Sequence, residues 1–373
     1  MLTYSEIKSL AAITGDGNLF VSLYLNVNPL TNPKGKYITY FKNMVKEQMK
    51  ETGKETGKKI KEDIKKIEIY LRDIKRETKK GISVISCDPL GYWKNYHLSL
   101  PVKNELVIDS APYIKPLLAL LNNYPRCIVL LVDKEVARIF IIHLGEIEEY
   151  TELFTPDIPG RHKKGGWFAL QQNRFERHIN YHVTLHIKDV LKALEDFLLK
   201  EDVGRIIVGG TEEAILKTKN LMSAATLNKV IATFPAKIVM GEKDVLGRIS
   251  EIIENFEEEH QKHVVEEIVT KSMKNDMAVT GIDNVLVNLQ EGKVMKLVFL
   301  KDMRATGFRC TICDFLTSQS IKSCPYCSKK IEEIPYLIEF AAQKAVEQGV
   351  SVEVIAKSDE LAKAGGIGAF LRF

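Results

Sequence analysis

Between Cys127 and Met273 the hydrophobic period of the chain changes again and again, and this alternation limits the fold more than any single motif. The runs CIVLLVD (127–133), ARIFIIH (137–143) and EIEEYTEL (146–153) are short, apolar and rich in β-branched residues, which predicts three strands. A long stretch of helical spacing follows over about 167–199, with Val190, Leu191, Leu194, Phe197 and Leu198 on its core side. Next come a strand at RIIVGG (205–210), a helix from the N-cap residue Thr211 to about Met222, a strand at KIVMG (237–241) and a polar helix over 243–273. Strands alternating with helices predict an α/β domain with a largely parallel core.

The flanking segments build two further predicted domains. Before the central region, NLFVSLYLNV (18–27) reads as a strand that Pro29 and Pro33 end. Two helices are expected at 36–50 and 59–78, the second with an apolar stripe of Ile60, Ile64, Ile67, Leu71 and Ile74. The tandem ETGK-ETGK (51–58) lies between them. Its Gly53 and Gly57 predict a break, hence a helical hairpin with a basic apex carrying Lys54, Lys58 and Lys59. Strands at 82–87 and 94–100 flank the turn Asp88-Pro89-Leu90-Gly91, and a helix over 111–123 closes the domain. After residue 276 the expected order is helix (281–291), strand (293–300), a cysteine-bearing insertion, helix (334–349), strand (351–356), short helix (358–366) and a final apolar strand. The expected fold class is therefore α/β in three domains: 1–123 with the basic hairpin, 124–275, and 276–373 as an α/β/α sandwich with an insertion at 303–331.

With 373 residues, 45% hydrophobic and 27% charged, the composition is that of a globular protein. No apolar run approaches the roughly 18 residues of a membrane span, so no membrane partner is expected. The first fifteen residues lack the basic-then-apolar order of a signal peptide, and cytoplasmic location is the expectation. A net charge of +4 excludes little, but its distribution is uneven. Residues 42–80 hold fourteen Lys/Arg against eight Asp/Glu, and 251–267 hold seven Glu. A basic arm and a basic central loop point to RNA or another polyanion.

Cys310-Thr-Ile-Cys313 and Cys324-Pro-Tyr-Cys327 form a C-x2-C-x10-C-x2-C pattern. Two thiolate pairs on tight knuckles suit a tetrahedral zinc site with four cysteine ligands, and a closed shell makes such a metal structural. The other reading is a metal-free loop. Cys87 and Cys127 stand singly in apolar runs and read as buried small hydrophobes. His178, His182 and His186 recur at i, i+4, i+8, so they share one helix face. A solvated or RNA-facing surface is expected there, with a metal pair as the other reading. Gly209-Gly210, between a strand and a helix, reads as structural, with an anion site at the helix N-terminus as the alternative. The sequence contains no P-loop and no dinucleotide fingerprint.

The segment 158–186 runs Arg161, His162, Lys163 and Lys164 into Gly165-Gly166 and then into helical spacing carrying Arg174, Arg177 and His178. Adjacent glycines let a backbone approach a substrate closely, and the basic residues before them favour a phosphate-rich partner.

Three separated stretches, spread over the second and third domains and in the same order, resemble one family. KKGGWFALQQNRFERHINY (163–181) resembles the Gly-Gly-Gln loop and helix of archaeal and eukaryotic class I peptide chain release factors. Gly365-Gly-Ile-Gly-Ala-Phe-Leu-Arg-Phe373 resembles the end of the third domain in those factors and in the ribosome-rescue protein Pelota. Four cysteines inserted in the third domain resemble archaeal members. The chain departs from the family where Trp167 replaces the Gln, where about three residues near 171–173 look inserted, and where the Asn-Ile-Lys-Ser decoding motif is missing. The Gly-Gly-Trp form looks like the divergent bacterial and archaeal release-factor-like families.

The resemblance implies ribosome, tRNA and rRNA as partners, leaves open a translational GTPase as escort, and implies hydrolysis of the peptidyl-tRNA ester without standard stop-codon reading. It assigns catalysis to Gly165, Gly166 and Trp167, with Gln171 and Gln172 as substitutes for the lost amide. RNA contacts fall to Lys54, Lys58, Lys59, Arg161, Lys163, Lys164, Arg174, Arg177 and His178. The alternative it allows is a non-hydrolytic rescue or quality-control factor resembling Pelota.

Overall fold

A computed structural model of the chain describes residues 2–13, 15, 17–32, 36–74, 79–154, 169–200 and 203–373, with backbone alone at 51–54, 149, 154 and 169–179. The chain divides into two compact units: residues 124–256, and residues 1–123 together with 257–373.

The 124–256 unit is built on a five-stranded sheet. Its strands are β5 (Cys127–Val132), β6 (Val136–His143), β7 (Glu146–Phe154), β8 (Arg205–Gly210) and β9 (Val230–Pro235), in the order β7-β6-β5-β8-β9. The first three pair antiparallel, while β5, β8 and β9 run parallel. The sheet is thus mixed, where a largely parallel one was expected. The two-residue turn Leu144-Gly145, with φ of 49° and 76°, closes β6 onto β7 as a hairpin and forces the antiparallel half.

Alternation along β5 sends its side chains to two cores. Ile128, Leu130 and Val132 pack with Val183, Ile187, Val190 and Leu194 of the long helix α5 (Ala169–Lys200). Cys127, Val129 and Leu131 pack with Val245, Ile249 and Ile253 of α8 (Glu242–Met273). Burial of each such aliphatic side chain contributes about 1.5–3 kcal/mol. Between β8 and β9 lie α6 (Glu212–Leu221) and α7 (Ala224–Leu227). Thr211 caps α6 as expected, its side chain accepting from the Ala214 amide.

KIVMG (237–241) is not a strand. Its carbonyls at Ile238 and Met240 accept from Arg138 Nη1 at 2.9 and 2.6 Å, and the strand expected there is β9, a few residues earlier.

The other unit holds three sheets. The first, ordered β3-β2-β1-β4, is wholly antiparallel: β1 (Phe20–Asn26), β2 (Gly81–Cys87), β3 (Tyr92–Leu98) and β4 (Glu105–Asp109). Val21, Leu23 and Leu25 of β1 face a helical hairpin of α2 (Lys36–Lys59) and α3 (Lys61–Asp73), meeting Tyr37, Phe41, Ile67 and Leu71. The hairpin is present, but the ETGK tandem does not break it. Helix α2 continues through Gly53 and Gly57 to Lys59, so the turn at Ile60 follows the tandem. The buried Asp63 of α3 fastens the hairpin to β2, accepting from the Ser86 hydroxyl and from the Asp88 amide at 2.8 Å.

The second sheet, β10-β16-β11-β15, contains β10 (Ala278–Thr280), β11 (Val294–Leu300), β15 (Ser351–Ile355) and β16 (Ile367–Leu371). Val264, Val265, Ile268 and Val269 of α8 cover one face. Helices α9 (Ile282–Gln290), α10 (Leu337–Glu347) and α11 (Asp359–Lys363) complete the sandwich, Ser358 capping α11 through the Leu361 amide. In the same unit, α1 (Tyr4–Ala11) lies against α10, with Gln343 donating to the Ala11 carbonyl. From α4 (Lys115–Asn123), Lys115 reaches Glu339 at 3.2 Å and the Met303 carbonyl at 2.9 Å. The third sheet, β13-β12-β14, is inserted between β11 and α10 and carries the cysteines.

Candidate functional site

The inserted sheet consists of β12 (Gly307–Cys310), β13 (Leu316–Thr317) and β14 (Ile331–Ile334), paired antiparallel. So short a sheet cannot bury a core of its own, and its interior is Cys310, Cys324 and Ile331 with Phe308, Phe315 and Ile321 around them. The chain turns sharply after each cysteine pair. Asp314 and Ser328 take φ of 53° and 58°, and their amides return to the carbonyls of Cys310 and Cys324 at 3.0 and 2.9 Å. These turns bring Cys310, Cys313, Cys324 and Cys327 together, all four ligand atoms within 4.8 Å of one another. The Cys310–Cys327 and Cys313–Cys324 Sγ pairs are each 3.4 Å apart. A tetrahedral shell with Zn–S of about 2.3 Å needs S···S separations of about 3.8 Å, which these distances bracket.

The backbone prepares the sulfurs as ligands. Cys310 Sγ accepts from the amides of Cys313 and Ile312, and Cys324 Sγ from those of Cys327 and Tyr326. Cys313 and Cys327 accept from the amides of Phe315 and Lys329. Burial opposes ionisation of Cys310, but its amide donors outweigh it and lower its pKa to about 7. Burial and the hydrogen bond to Cys324 push Cys313 up instead. Ionising all four cysteines together would require a cation, a role that a divalent metal would fill. The residues fit zinc in a closed, structural shell.

The ribbon is anchored by groups that no motif announces. Arg309 on β12 donates to Asp314 Oδ1 at 2.9 and 2.7 Å, and its guanidinium lies 4.4 Å from the Phe340 ring centre on α10. Lys344, also on α10, donates to the Asp314 carbonyl at 2.8 Å. A Cβ on Gly307 would meet Leu337 Cδ2 at 2.6 Å and the Thr317 carbonyl at 2.7 Å, so only glycine lets β12 approach α10 this closely. The sole sequence trace of this docking is that glycine.

The helix after the Gly-Gly segment forms as expected, but its histidines do not share one environment. His186 is 1% exposed, against the core side of α5. Burial holds its pKa below the usual histidine value, opposed by a hydrogen bond with the Val136 backbone and by Asp189, Asp133 and Glu135. The expectation that it belongs to a solvated or RNA-facing surface is therefore corrected. At i, i+4, i+8 the face drifts by about 40° per step, since 3.6 residues complete a turn, and that drift takes the last histidine into the core. His182 is half-buried with its ring 5.8 Å from that of Tyr181. Among the described residues, the four cysteines are the one group arranged to hold a metal.

Gly209 and Gly210 are spacers. A Cβ on Gly209 would meet Leu131 and Phe234 at 2.6–2.7 Å, and one on Gly210 the Val132 carbonyl at 2.3 Å. The hollow beyond them is lined by Glu212 and Asp244 as well as Lys237, which does not favour an anion.

Of the residues assigned to catalysis and RNA contact, Lys58 and Lys59 are exposed at the end of α2, and Lys54 lies on the same helix. Gln171, Gln172, Arg174, Arg177 and His178 fall in the first turns of α5, where the backbone alone is described. Arg161, Lys163, Lys164, Gly165, Gly166 and Trp167 lie outside the described residues.

Peptide chain release factor subunit 1 of Methanopyrus kandleri is 27% identical over 215 residues, which are 56% of this chain and 51% of that protein. The match thus spans about half the length of the curated relative. Among solved structures, archaeal translation termination factor aRF1 is 15% identical with a TM-score of 0.25, covering 99% of this chain and 96% of that one. The model of ribosome-bound archaeal Pelota and ABCE1 is 14% identical with a TM-score of 0.42, covering 100% and 94%. At these scores the structural likeness carries no further weight. By class, the chain is similar to archaeal and eukaryotic peptide chain release factors over part of its length. Within that class, its residues 112–268 match the model of bacterial archaeo-eukaryotic release factor family 10.

Proposed function

We propose that the protein is a ribosome-associated translation factor that hydrolyses the peptidyl-tRNA ester without standard stop-codon reading. The observation that carries this reading is the family match over 112–268, a span that contains Gly165-Gly166 and all of α5. Its three functional parts are the hairpin domain at 1–123, the Gly-Gly domain at 124–275 and the ribbon-bearing domain at 276–373.

The chemistry asks little of side chains. Ester cleavage by water builds negative charge on the carbonyl and then on the leaving ribose oxygen, and a backbone N–H aimed at either stabilises it. Residue 167 supplies that N–H whether it is Gln or Trp. The two glycines before it leave room for the backbone to lie beside the tRNA end. The Trp167 indole stacks on a base or ribose there, a contact of about 1–3 kcal/mol. Gln171 or Gln172, about one helical turn further on, offers the amide that Trp167 lacks. Arg161, Lys163, Lys164, Arg174, Arg177 and His178 meet rRNA and tRNA phosphates, and Lys54, Lys58 and Lys59 do so from the hairpin. A translational GTPase is the candidate escort, and zinc is structural. The four-cysteine shell would hold the metal, and its ligands leave no open position for substrate.

One observation favours a second reading. With Trp167 in place of Gln, the chain fits a rescue or quality-control factor that binds the ribosome without hydrolysis. Peptide release separates the two. Ribosomes carrying labelled peptidyl-tRNA and presenting a stop codon, a sense codon or no codon in the acceptor site should release peptide at rates within about threefold of one another. Binding without release selects the rescue factor. Release on stop codons alone overturns the codon-independent reading.

A further inference from the structure

The second zinc knuckle has a surface that holding a metal does not require. Tyr326, between Cys324 and Cys327, is 62% exposed, and its ring centre lies 5.2 Å from that of Phe315, which backs it. Ile312 holds the equivalent place in the first knuckle and is 66% exposed. A structural knuckle needs no large apolar side chain at either tip, where serine or glycine would cost no desolvation.

The charge around Tyr326 has one sign. Residues 315–331 contain Lys322, Lys329 and Lys330 and no acidic residue. All three lysines are exposed, and none has a carboxylate within ion-pair distance among the described residues. The backbone gathers them. Ser323 bridges antiparallel to Lys330, and the Cys324 amide donates to the Lys329 carbonyl at 2.9 Å, so Lys322 and the Lys329-Lys330 pair flank one turn. The acids that follow, Glu332 and Glu333, lie on β14 in register with Arg309 and Phe308.

An exposed ring on a rigid turn, ringed by unpaired cations, matches a nucleic-acid strand, in which flat bases alternate with phosphates. We propose that the second knuckle is an RNA-binding site, in which Tyr326 stacks on an unpaired base and Lys322, Lys329 and Lys330 neutralise the flanking phosphates. An acidic protein would also answer the lysines, but it offers nothing flat for a backed aromatic ring. The inference rests on the knuckle and is independent of the hydrolytic reading above.

The test uses the full-length protein and a fluorescent RNA hairpin with an unpaired loop of about eight nucleotides, titrated at several salt concentrations. Replacing Lys322, Lys329 and Lys330 together by Gln should lower the slope of log affinity against log salt by about 2–3, near one per lost phosphate contact. Tyr326→Leu should weaken binding by at least about fivefold while leaving that slope unchanged. A control triple, Lys301→Gln, Lys357→Gln and Lys363→Gln, removes the same charge from exposed positions elsewhere and should leave the slope within about 0.5 of the wild type. Ultraviolet crosslinking of the wild-type complex should map to the peptide containing Tyr326. Unchanged slope and affinity in both knuckle variants overturn the proposal, as does an equal loss in the control triple. Loss of binding to polyglutamate, with RNA binding intact, would assign the patch to an acidic protein instead and overturn it too.

Discussion

His186 shows how a single residue changes meaning between sequence and structure. Its spacing groups it with His178 and His182, yet it is 1% exposed and its pKa is lowered, first of all by burial. The folded chain therefore binds this proton less readily than the unfolded chain, whose histidine titrates near about 6.5. Stability is full above that value and falls as pH drops through it, because the unfolded state takes up the proton first. We expect the urea midpoint of the full chain to fall between pH 7.5 and 5.5, and His186→Leu to flatten that fall. An identical fall in the variant would mean that other groups carry it. Trp167 is the opposite case: its identity is fully legible and departs from the family's Gln, while its consequence depends on chemistry that only a release assay reads.

At the scale of elements, the sequence was most legible where burial imposes a clean period. RIIVGG (205–210) is the strand β8 with the same bounds, and Thr211 and Ser358 act as caps. Legibility fails where a competing contact decides. Val230–Pro235 is an edge strand, buried only in part, so it shows no alternation, while KIVMG is apolar because Ile238 and Met240 reach the core from a turn. The ETGK tandem carries two helix-weakening glycines, yet packing of Tyr37, Phe41 and Ile60 carries α2 through them to Lys59. Gly57→Ala should consequently stabilise the protein by about 0.5–1 kcal/mol. The new Cβ meets nothing nearer than the Met49 side chain at 3.7 Å, and a raised thermal midpoint checks it. A loss would place a turn at Gly57. The clustering of the four cysteines was legible from their spacing, whereas the docking of their ribbon onto α10 through Arg309 and Lys344 was not, because those partners are distant in sequence. Purified protein should contain one zinc per chain. Cys324→Ser or a strong chelator should remove it and raise amide exchange over residues 307–334, leaving β11 and β16 protected. Full protection of the ribbon without metal would show that its apolar core suffices.

For the whole molecule, the features to which the proposed function is assigned lie far apart in the chain: a basic hairpin in the first third, a Gly-Gly segment leading into a 32-residue helix, and a cysteine ribbon in the last quarter. Their order was readable because each carries its own local signature. The grouping of residues 1–123 with 257–373 in one compact unit was not, since it rests on tertiary contacts such as Lys115 with Glu339 and Gln343 with the Ala11 carbonyl. The proposed function turns on the backbone at residues 165–167 stabilising the charge that builds as water cleaves the peptidyl-tRNA ester. It is tested most directly by single-turnover peptide release on ribosomes with excess factor, comparing wild type with Gly166→Ala. The added Cβ restricts the backbone beside the third residue, so release should fall at least about a hundredfold, a barrier increase of about 2.7 kcal/mol, with ribosome binding unchanged. Release by Gly166→Ala at the wild-type rate would contradict the account.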